Sequence, residues 1–196
     1  MLLTRLKIFV LATLGALALA APSVADDAMS PTDRGPAVGE TLSFAADMTG
    51  ADGKTYTLAD LHGPQGTVLI FNRSLSWCPY CKAQTQDFID HADAITKSGY
   101  SIAVITYDAP EALAKYAAET SAPFKLLSDP ESQTIIALGL LNEKYEPGSF
   151  AYGIPHPIVI AVNTDGSVAA KFAEEGYKTR PLAVDVAEAL SASASR

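Results

Sequence analysis

Apolar residues along the chain follow two patterns, one typical of buried strands and the other of amphipathic helices. Continuous apolar runs predict strands at 67–71, 101–107, 124–127 and 157–162. Apolar residues at helical spacing predict helices at 79–97, with Gly99 as its end, at 135–141 and at 181–190. The order of these segments alternates strand with helix, which predicts an α/β domain.

Turn and capping signals refine this order. Weak alternation on either side of a turn at 49–53 predicts an N-terminal hairpin from 42–48 and 55–58, and a turn at 163–166 predicts a second one from 157–162 and 167–172. The sequences beginning at Asp108 and at Ser128 each resemble a capped helix start, with Pro110 and Pro130 in or near the first turn. We therefore predict a mainly parallel central sheet with an N-terminal hairpin and helices on both faces.

The first residues are predicted to lie outside this domain. Arg5 and Lys7 precede an apolar stretch, Ile8–Ala21, that is too short to span a bilayer and is typical of a secretory signal. Small residues favour cleavage after Ala25, with an uncleaved anchor as the alternative. The predicted organisation is thus a signal peptide at 1–25, a flexible lead-in at 26–39, one domain at 40–190 and a frayed tail at 191–196. Such a chain is exported, and a bacterial periplasm is the expected location.

Composition narrows the possible functions. The chain is 48% hydrophobic and 18% charged, which excludes a disordered protein. Its 22 acidic and 14 basic residues give a net charge of −8, so a nucleic-acid partner is not expected. Two cysteines and three histidines are too few for a disulfide scaffold and make a structural zinc site hard to assemble.

The cysteine pair is the main chemical feature. It lies where a predicted strand passes into a predicted helix, in the sequence Trp77-Cys78-Pro79-Tyr80-Cys81. Cys78 is expected at the helix N-cap, where unpaired N–H groups and the helix dipole stabilise a thiolate and make it the attacking nucleophile. Cys81, one turn further and more buried, would be the resolving thiol, and Lys82 adds a nearby positive charge.

Two other interpretations of the pair remain open. A structural disulfide is disfavoured because so short a loop gives little entropic stabilisation. Half of a metal site is disfavoured because no second cysteine pair exists. Redox chemistry is therefore the preferred hypothesis.

The chain resembles the thioredoxin-like superfamily, and within it the redoxin branch of AhpC/TSA, peroxiredoxin-like proteins. The likeness covers roughly 38–190 and is carried by the dithiol motif, by Ser128-Asp129-Pro130, and by the segment from Pro157 to Gly166. The resemblance implies a thioredoxin-like fold. It also implies that Pro157 is cis and packs against the dithiol, which would place His156 beside the Cys78 sulfur. Pro155 is the competing candidate for the cis proline.

Two departures from the family pattern stand out. Peroxiredoxins place a threonine or serine three residues before the reactive cysteine and a proline seven before, and these positions hold Leu75 and Phe71 here. Thioredoxins carry a buried aspartate on the preceding strand, and the nearest positions hold Phe71 and Asn72. Both departures weaken a strict assignment to either family, but the dithiol itself is intact.

We therefore predict an exported thiol–disulfide oxidoreductase in which Cys78 and Cys81 are catalytic. Trp77, Pro79, Tyr80, His156 and Pro157 are the predicted contacts to the substrate or its disulfide. No dissociable cofactor is expected, and turnover requires an external redox partner. A thiol peroxidase acting on peroxides is the first alternative, and a copper-binding protein using Cys78, Cys81 and His156 is the second.

Several properties stay open from sequence alone: the direction of electron flow, the substrate and the oligomeric state. The long connection at 142–156 carries Tyr145, Phe150 and Tyr152. Loops of this length are often functional, so an aromatic rim beside the dithiol is one hypothesis and a packed surface flap is the other.

Overall fold

The computed structural model describes residues 30–194, so the predicted signal peptide at 1–25 lies outside the described residues. Seven strands form one sheet: β1 (Met48–Gly50), β2 (Thr55–Tyr56), β3 (Gly66–Phe71), β4 (Tyr100–Thr106), β5 (Lys125–Ser128), β6 (Ile158–Asn163) and β7 (Val168–Phe172). Five α-helices accompany them: α1 (Pro79–Asp90), α2 (Ala92–Thr96), α3 (Pro110–Thr120), α4 (Gln133–Ala137) and α5 (Ala183–Ala194). No helix within 30–194 has the length and apolar character needed to cross a bilayer.

The strand order across the sheet is β2-β1-β5-β4-β3-β6-β7. Parallel pairing is limited to the centre, where β4 lies between β3 and β5. The remaining neighbours pair antiparallel, including β3 with β6, where Phe71 is opposite Ile158. The expected α/β architecture is present, but the sheet is mixed rather than mainly parallel because hairpins extend it at both edges.

The core consists of two layers, one on each face of the sheet. Alternate residues of β3 divide between them: Val68 and Ile70 pack under α1, α2, α3 and α5, whereas Leu69 and Phe71 face α4 and the segment before β1. All six residues of β3 are buried. This burial explains why the central strand reads as an unbroken apolar run instead of an alternating one.

Several element boundaries differ from the sequence prediction, among them that of α4, which spans Gln133–Ala137 instead of 135–141. The first strand of the N-terminal hairpin begins only at Met48, because Leu42 pairs with the β6–β7 turn, its amide donating to the carbonyl of Gly166 (2.9 Å). The helix predicted at 79–97 divides at His91, whose backbone leaves the helical region. The last helix continues to Ala194.

Two strand-to-helix connections at the C-terminal ends of the central parallel strands position the candidate site. The first junction, residues 72–78, joins β3 to α1, and the second junction, residues 107–109, joins β4 to α3. Because β3 and β4 are parallel neighbours, with Phe71 opposite Ile105, both junctions emerge side by side. The residues before the cysteine pair therefore lie directly against the residues that precede α3.

Candidate functional site

Cys78 is the N-cap of α1, as the sequence predicts. Its backbone is extended (φ −92°, ψ 108°), Pro79 occupies the first turn, and the sulfur of Cys78 accepts a hydrogen bond from the amide of Cys81 (3.3 Å). This amide is one of those that a helix start leaves without a carbonyl partner. The sequence thus places the Cys78 sulfur where backbone N–H groups favour negative charge.

Both cysteines are free thiols and both are buried, with 1% of Cys78 and none of Cys81 exposed. The order agrees with the sequence prediction that Cys81 is the more buried of the two, although Cys78 is almost equally enclosed.

The two sulfurs have opposite tendencies to ionise. A hydrogen bond from the Cys81 thiol lowers the pKa of Cys78 to about 6, helped by the Cys81 amide and by the positive charges of Arg180 and Arg73, against the effect of burial. The same hydrogen bond, together with burial, raises the pKa of Cys81. The pair therefore carries one thiolate, and its negative charge resides on Cys78.

The cations that act on the pair are two arginines that the sequence analysis did not single out. Arg180 approaches with its Nη2 3.6 Å from the Cys81 sulfur. Arg73 belongs to the first junction and is 94% buried. Lys82, which the sequence suggested as the nearby positive charge, is not among the groups that lower the pKa of Cys78, whereas Arg180 and Arg73 are.

Aromatic rings enclose the guanidinium of Arg73. Its Cζ lies 4.4 Å from the ring centroid of Tyr177, 5.1 Å from that of Trp77 and 5.9 Å from that of Tyr145. The Tyr145 hydroxyl also accepts a hydrogen bond from Nη2 (3.1 Å). Stacking of this kind holds a guanidinium in place without neutralising it, so Arg73 keeps its charge beside Cys78.

Asp108 of the second junction organises the loop before Cys78. Its carboxylate accepts hydrogen bonds from the Ser74 hydroxyl (2.7 Å), the Leu75 amide (2.6 Å) and the Thr106 hydroxyl (3.0 Å). The sequence assigned Asp108 to a cap of α3, but the N-cap is Ala109 and receives no side-chain hydrogen bond. The side chain is instead turned across the sheet edge, where buried donors of the first junction need an acceptor.

Ser74 does not replace the hydroxyl that the family pattern places three residues before the reactive cysteine. Its oxygen donates to Asp108 and accepts from the amides of Ser76 (3.0 Å) and Trp77 (3.2 Å). That position itself holds Leu75, which is buried and apolar. No neighbouring serine therefore compensates for the hydroxyl that is missing at Leu75.

The 142–156 connection reaches the dithiol region, as one of the two sequence hypotheses proposed. The rings of Phe150 and Trp77 meet edge to face at 5.5 Å, and the Tyr107 hydroxyl joins them by accepting from Trp77 Nε1 (3.1 Å) and donating to the Phe150 carbonyl (3.0 Å). The rings of Tyr80 and Tyr177 also meet edge to face, with 5.7 Å between their centroids. Trp77 and Tyr80 thus lie in an aromatic surface around the pair.

His156 and Pro157 occupy other positions than the resemblance implied. No cis peptide bond occurs within residues 30–194, so Pro157 and Pro155 are both trans. The His156 amide donates to the Leu140 carbonyl (2.7 Å) and Pro155 bridges to Leu141, which keeps this stretch extended as it enters β6. The imidazole Nε2 of His156 lies 2.7 Å from the carboxylate of Glu143.

The position of His156 also speaks against the predicted copper site formed by Cys78, Cys81 and His156. His156 is directed to Glu143 rather than to the sulfurs, and no group of three His, Cys, Asp or Glu side chains in the described part of the chain could hold a metal ion. The thiols therefore lack the third ligand that a Cys₂His site requires.

A cavity of about 570 Å³ is lined by Arg73 and Tyr177 together with Tyr145, His156 and Glu143. Neither sulfur lines this cavity. Arg73 is the residue it shares with the electrostatic surroundings of Cys78.

Comparison with known proteins places this arrangement in a family. The AhpC/TSA family profile matches residues 39–171. Peroxiredoxin Bcp of Escherichia coli K12 is 30% identical over 128 residues, covering 65% of this chain and 79% of that protein. A putative peroxiredoxin of Mycobacterium tuberculosis H37Rv is 29% identical over 140 residues, covering 71% and 82%.

Solved structures share the fold. Peroxiredoxin Q of Xanthomonas campestris superposes with a TM-score of 0.65 at 24% sequence identity, covering 80% of this chain and 97% of that one. AhpC of Mycobacterium tuberculosis superposes with a TM-score of 0.67 at 19% identity, covering 82% and 94%. With its thioredoxin-like α/β fold and the family match over 39–171, the chain belongs to the AhpC/TSA family of peroxiredoxins.

Proposed function

We propose that the protein is a thiol peroxidase in which Cys78 reduces a peroxide and Cys81 resolves the product. The observation that carries this proposal is the Cys78 sulfur at the N-cap of α1, where hydrogen bonds and two arginines hold its pKa at about 6. A thiolate is the nucleophile required for attack on a peroxide oxygen. The similarity to peroxiredoxins favours this activity over the thiol–disulfide oxidoreductase preferred from sequence.

The proposed cycle has three balanced steps. The Cys78 thiolate attacks a peroxide ROOH, the O–O bond breaks, and the alkoxide leaves and takes a proton as ROH, leaving a sulfenic acid on Cys78. The Cys81 sulfur then attacks the Cys78 sulfur and displaces hydroxide, which leaves as water. An external thiol reductant finally returns the disulfide to two thiols and is itself oxidised to a disulfide.

The position of Cys81 supports its role as the resolving thiol. It lies one helical turn from Cys78, and its backbone amide donates a hydrogen bond to the Cys78 sulfur (3.3 Å) in the reduced protein. Because the second sulfur is so close, a sulfenic acid on Cys78 has a partner within the same helix. No dissociable cofactor is required. Trp77 and Tyr80 are the side chains that a reductant would meet on approach to the pair.

Rapid mixing of the reduced protein with peroxide tests the proposal. Trp77 is the only tryptophan of the chain and adjoins Cys78, so its fluorescence reports oxidation of the pair. We expect fast oxidation of the wild type, no reaction at position 78 in Cys78→Ser, and an accumulated sulfenic acid in Cys81→Ser. Oxidation no faster than that of a free thiol with the same pKa would contradict a peroxidase.

A disulfide oxidoreductase is the second candidate, and two observations favour it. Leu75 stands where peroxiredoxins carry a hydroxyl, while the paired cysteines one turn apart suit exchange with a disulfide. Reduction of insulin by wild type and by Cys78→Ser tests this candidate. A reduction potential of roughly −270 mV would indicate a reductant and one of roughly −120 mV an oxidant. Equal insulin reduction by the two proteins would exclude the activity.

We also propose that the protein is exported and acts in the periplasm. The support is the signal-like sequence described above, with cleavage expected after Ala25. Sequencing the N-terminus of the protein from fractionated cells tests this: Asp26 as the first residue of a periplasmic form supports export, and an intact Met1 in the cytoplasmic fraction contradicts it.

A further inference from the structure

Arg180 is held against the dithiol by the helix that carries the cysteines. The segment between β7 and α5 is attached to α1 at two points next to Arg180: Gln84 Nε2 donates to the Pro181 carbonyl (3.3 Å), and the Ala183 amide donates to the Asp87 carboxylate (2.8 Å). The position of Arg180 is therefore fixed relative to Cys81, although the two residues are far apart in sequence.

The guanidinium of Arg180 has more hydrogen-bond donors than the reduced site uses. Nη2 contacts the Cys81 sulfur at 3.6 Å, whereas Nε and Nη1 are buried and have no hydrogen-bond partner among the described residues. Buried donors without acceptors are costly, and a cationic group in this condition favours any anion that forms beside it. The ionisable atom in direct contact with it is the Cys81 sulfur.

We propose that Arg180 is a catalytic residue of the resolving step, in which it stabilises the thiolate of Cys81. This inference rests on the proposed peroxidase. In the reduced protein the single negative charge resides on Cys78. Once Cys78 becomes a neutral sulfenic acid that charge is gone, and Cys81 must lose its proton before its sulfur can attack. Arg180 is the cation in contact with Cys81 at that moment, and the displaced hydroxide then takes up a proton as water.

Few other ionisable groups act on Cys81. Cys78 belongs to the same helical turn, and Tyr116 of α3 interacts with the Cys81 sulfur electrostatically. The Ser74 amide of the first junction donates to the sulfur but carries no charge. Substitution of Arg180 therefore removes the positive charge that contacts Cys81 while leaving these neighbours in place.

The first experiment needs no peroxide. In the Cys78→Ser protein Cys81 is the only cysteine, and NMR of isotope-labelled cysteine follows its ionisation directly. We expect the further change Arg180→Gln to raise the pKa of Cys81 so that about tenfold less thiolate is present at neutral pH. Lys178→Gln is the matched control, since it removes an exposed cation from the same loop, and it should leave the titration unchanged.

The second experiment follows the reaction at a pH well above the wild-type pKa of Cys78 (about 6). Because Arg180 also lowers that pKa, the pH must be high enough for Cys78 to be fully ionised in the Arg180 variants as well. After a single addition of peroxide, Arg180→Gln should form the disulfide about tenfold more slowly than wild type and accumulate sulfenic acid that a trapping reagent labels. Arg180→Lys, which keeps the charge, should recover most of the rate. Circular dichroism establishes that each variant is folded.

The outcomes separate the two proposals. A wild type that does not react with peroxide overturns the proposed function, and the NMR titration then still tests the effect of Arg180 on Cys81. A wild type that does react, with Arg180→Gln resolving at the same rate and titrating identically, overturns the role of Arg180. Equal slowing by Arg180→Gln and Arg180→Lys also overturns it, because charge would then not be the cause.

Discussion

The first and second junctions begin from nearly the same structure and serve different purposes. Each follows the C-terminal end of a buried, central parallel strand, and each leads to a helix with proline in its first turn. Both N-cap residues, Cys78 and Ala109, have extended backbones. Only the first junction carries a sulfur at that position, so the backbone arrangement by itself does not create the site.

The difference lies in where the buried polar groups are satisfied. The first junction buries Asn72, Arg73 and Ser74, and it leaves Asn72 Oδ1 and Arg73 Nε without hydrogen-bond partners in the described structure. The second junction supplies Asp108 and Tyr107, whose polar atoms bond to the first junction rather than to α3. The reactive loop is thus stabilised by its neighbour, and the neighbour gives up a cap to do so.

Exchanging the N-cap residues for serine gives the largest expected contrast. Cys78→Ser should reduce peroxide consumption to background, because a serine hydroxyl is not ionised at neutral pH. Ala109→Ser should retain activity and stabilise the protein by about 1 kcal/mol, because serine caps a helix better than alanine. Peroxide kinetics and thermal unfolding measure both effects. Activity retained in Cys78→Ser would show that the two junctions do not differ in chemistry.

The next largest expected effect is the loss of stability on removing the Asp108 carboxylate, which joins the two junctions. Asp108→Ala leaves the buried Leu75 amide and Ser74 hydroxyl without their acceptor, and we expect a loss of about 3 kcal/mol in the free energy of unfolding. Glu111→Ala, an exposed acidic residue in the first turn of α3, should change it by less than about 0.5 kcal/mol. Urea denaturation distinguishes them, and equal effects would contradict a supporting role for the second junction.

The pH dependence of oxidation sharpens the comparison further. The rate should rise about tenfold per pH unit below the pKa of Cys78, about 6, and level off above it. Since the Cys81 thiol is the main cause of that low pKa, Cys81→Ala should move the midpoint upward towards the 9.0 of an ordinary cysteine, and Cys81→Ser, which keeps a donor, should move it less. A midpoint unaffected by Cys81→Ala would show that the helix start alone sets the pKa.

The ionisation of Cys78 also makes the stability of the fold depend on pH, in a direction that its lowered pKa determines. Folding favours the thiolate of Cys78. Its contribution to the free energy of unfolding is therefore fully present above pH 9.0 and is lost as the pH falls through about 6. Wild type should therefore gain stability relative to Cys78→Ser as the pH rises from about 6 to 9.0. Urea denaturation at several pH values measures this difference, and a constant difference would contradict it.

The smallest expected effect concerns the aromatic contact between the junctions. Tyr107→Phe removes the hydroxyl that joins Trp77 Nε1 to the Phe150 carbonyl and should cost about 1 kcal/mol, with a change in the fluorescence of Trp77. Tyr152→Phe deletes a hydroxyl from the 142–156 connection and should change neither quantity. An unchanged Trp77 emission in Tyr107→Phe would show that this contact does not order the first junction.

The sequence predicted the parts of the site that depend on local order. Cys78 at the N-cap and Cys81 in the first turn follow from the strand, the proline and the helical spacing that surround them. Capping and turn geometry involve neighbours within a few residues, so they are visible in one sequence. The second hairpin and the central strand were accessible for the same reason. The first hairpin was predicted only in part, because its first strand, Met48–Gly50, shares one residue with the predicted strand at 42–48.

Arg73, Arg180 and Asp108 show what could not be read this way. Arg180 meets a sulfur 99 positions earlier in the chain, and Asp108 meets Ser74 34 positions earlier, so no local pattern signals either contact. The one signal for Arg73 in the sequence was its position directly after an apolar strand, where a charged residue is unexpected. His156 gave the opposite error, because a family pattern suggested a contact that the extended entry to β6 directs elsewhere.

The sequence by itself therefore determined which atom of this protein can act as a nucleophile and which sulfur accompanies it, because both belong to one helical turn. The tertiary structure decided the electrostatic environment of that pair. It alone brings the guanidinium groups of Arg73 and Arg180 and the carboxylate of Asp108 to one edge of the sheet. Charges act through space over several ångströms, and only the packing of distant segments sets those distances.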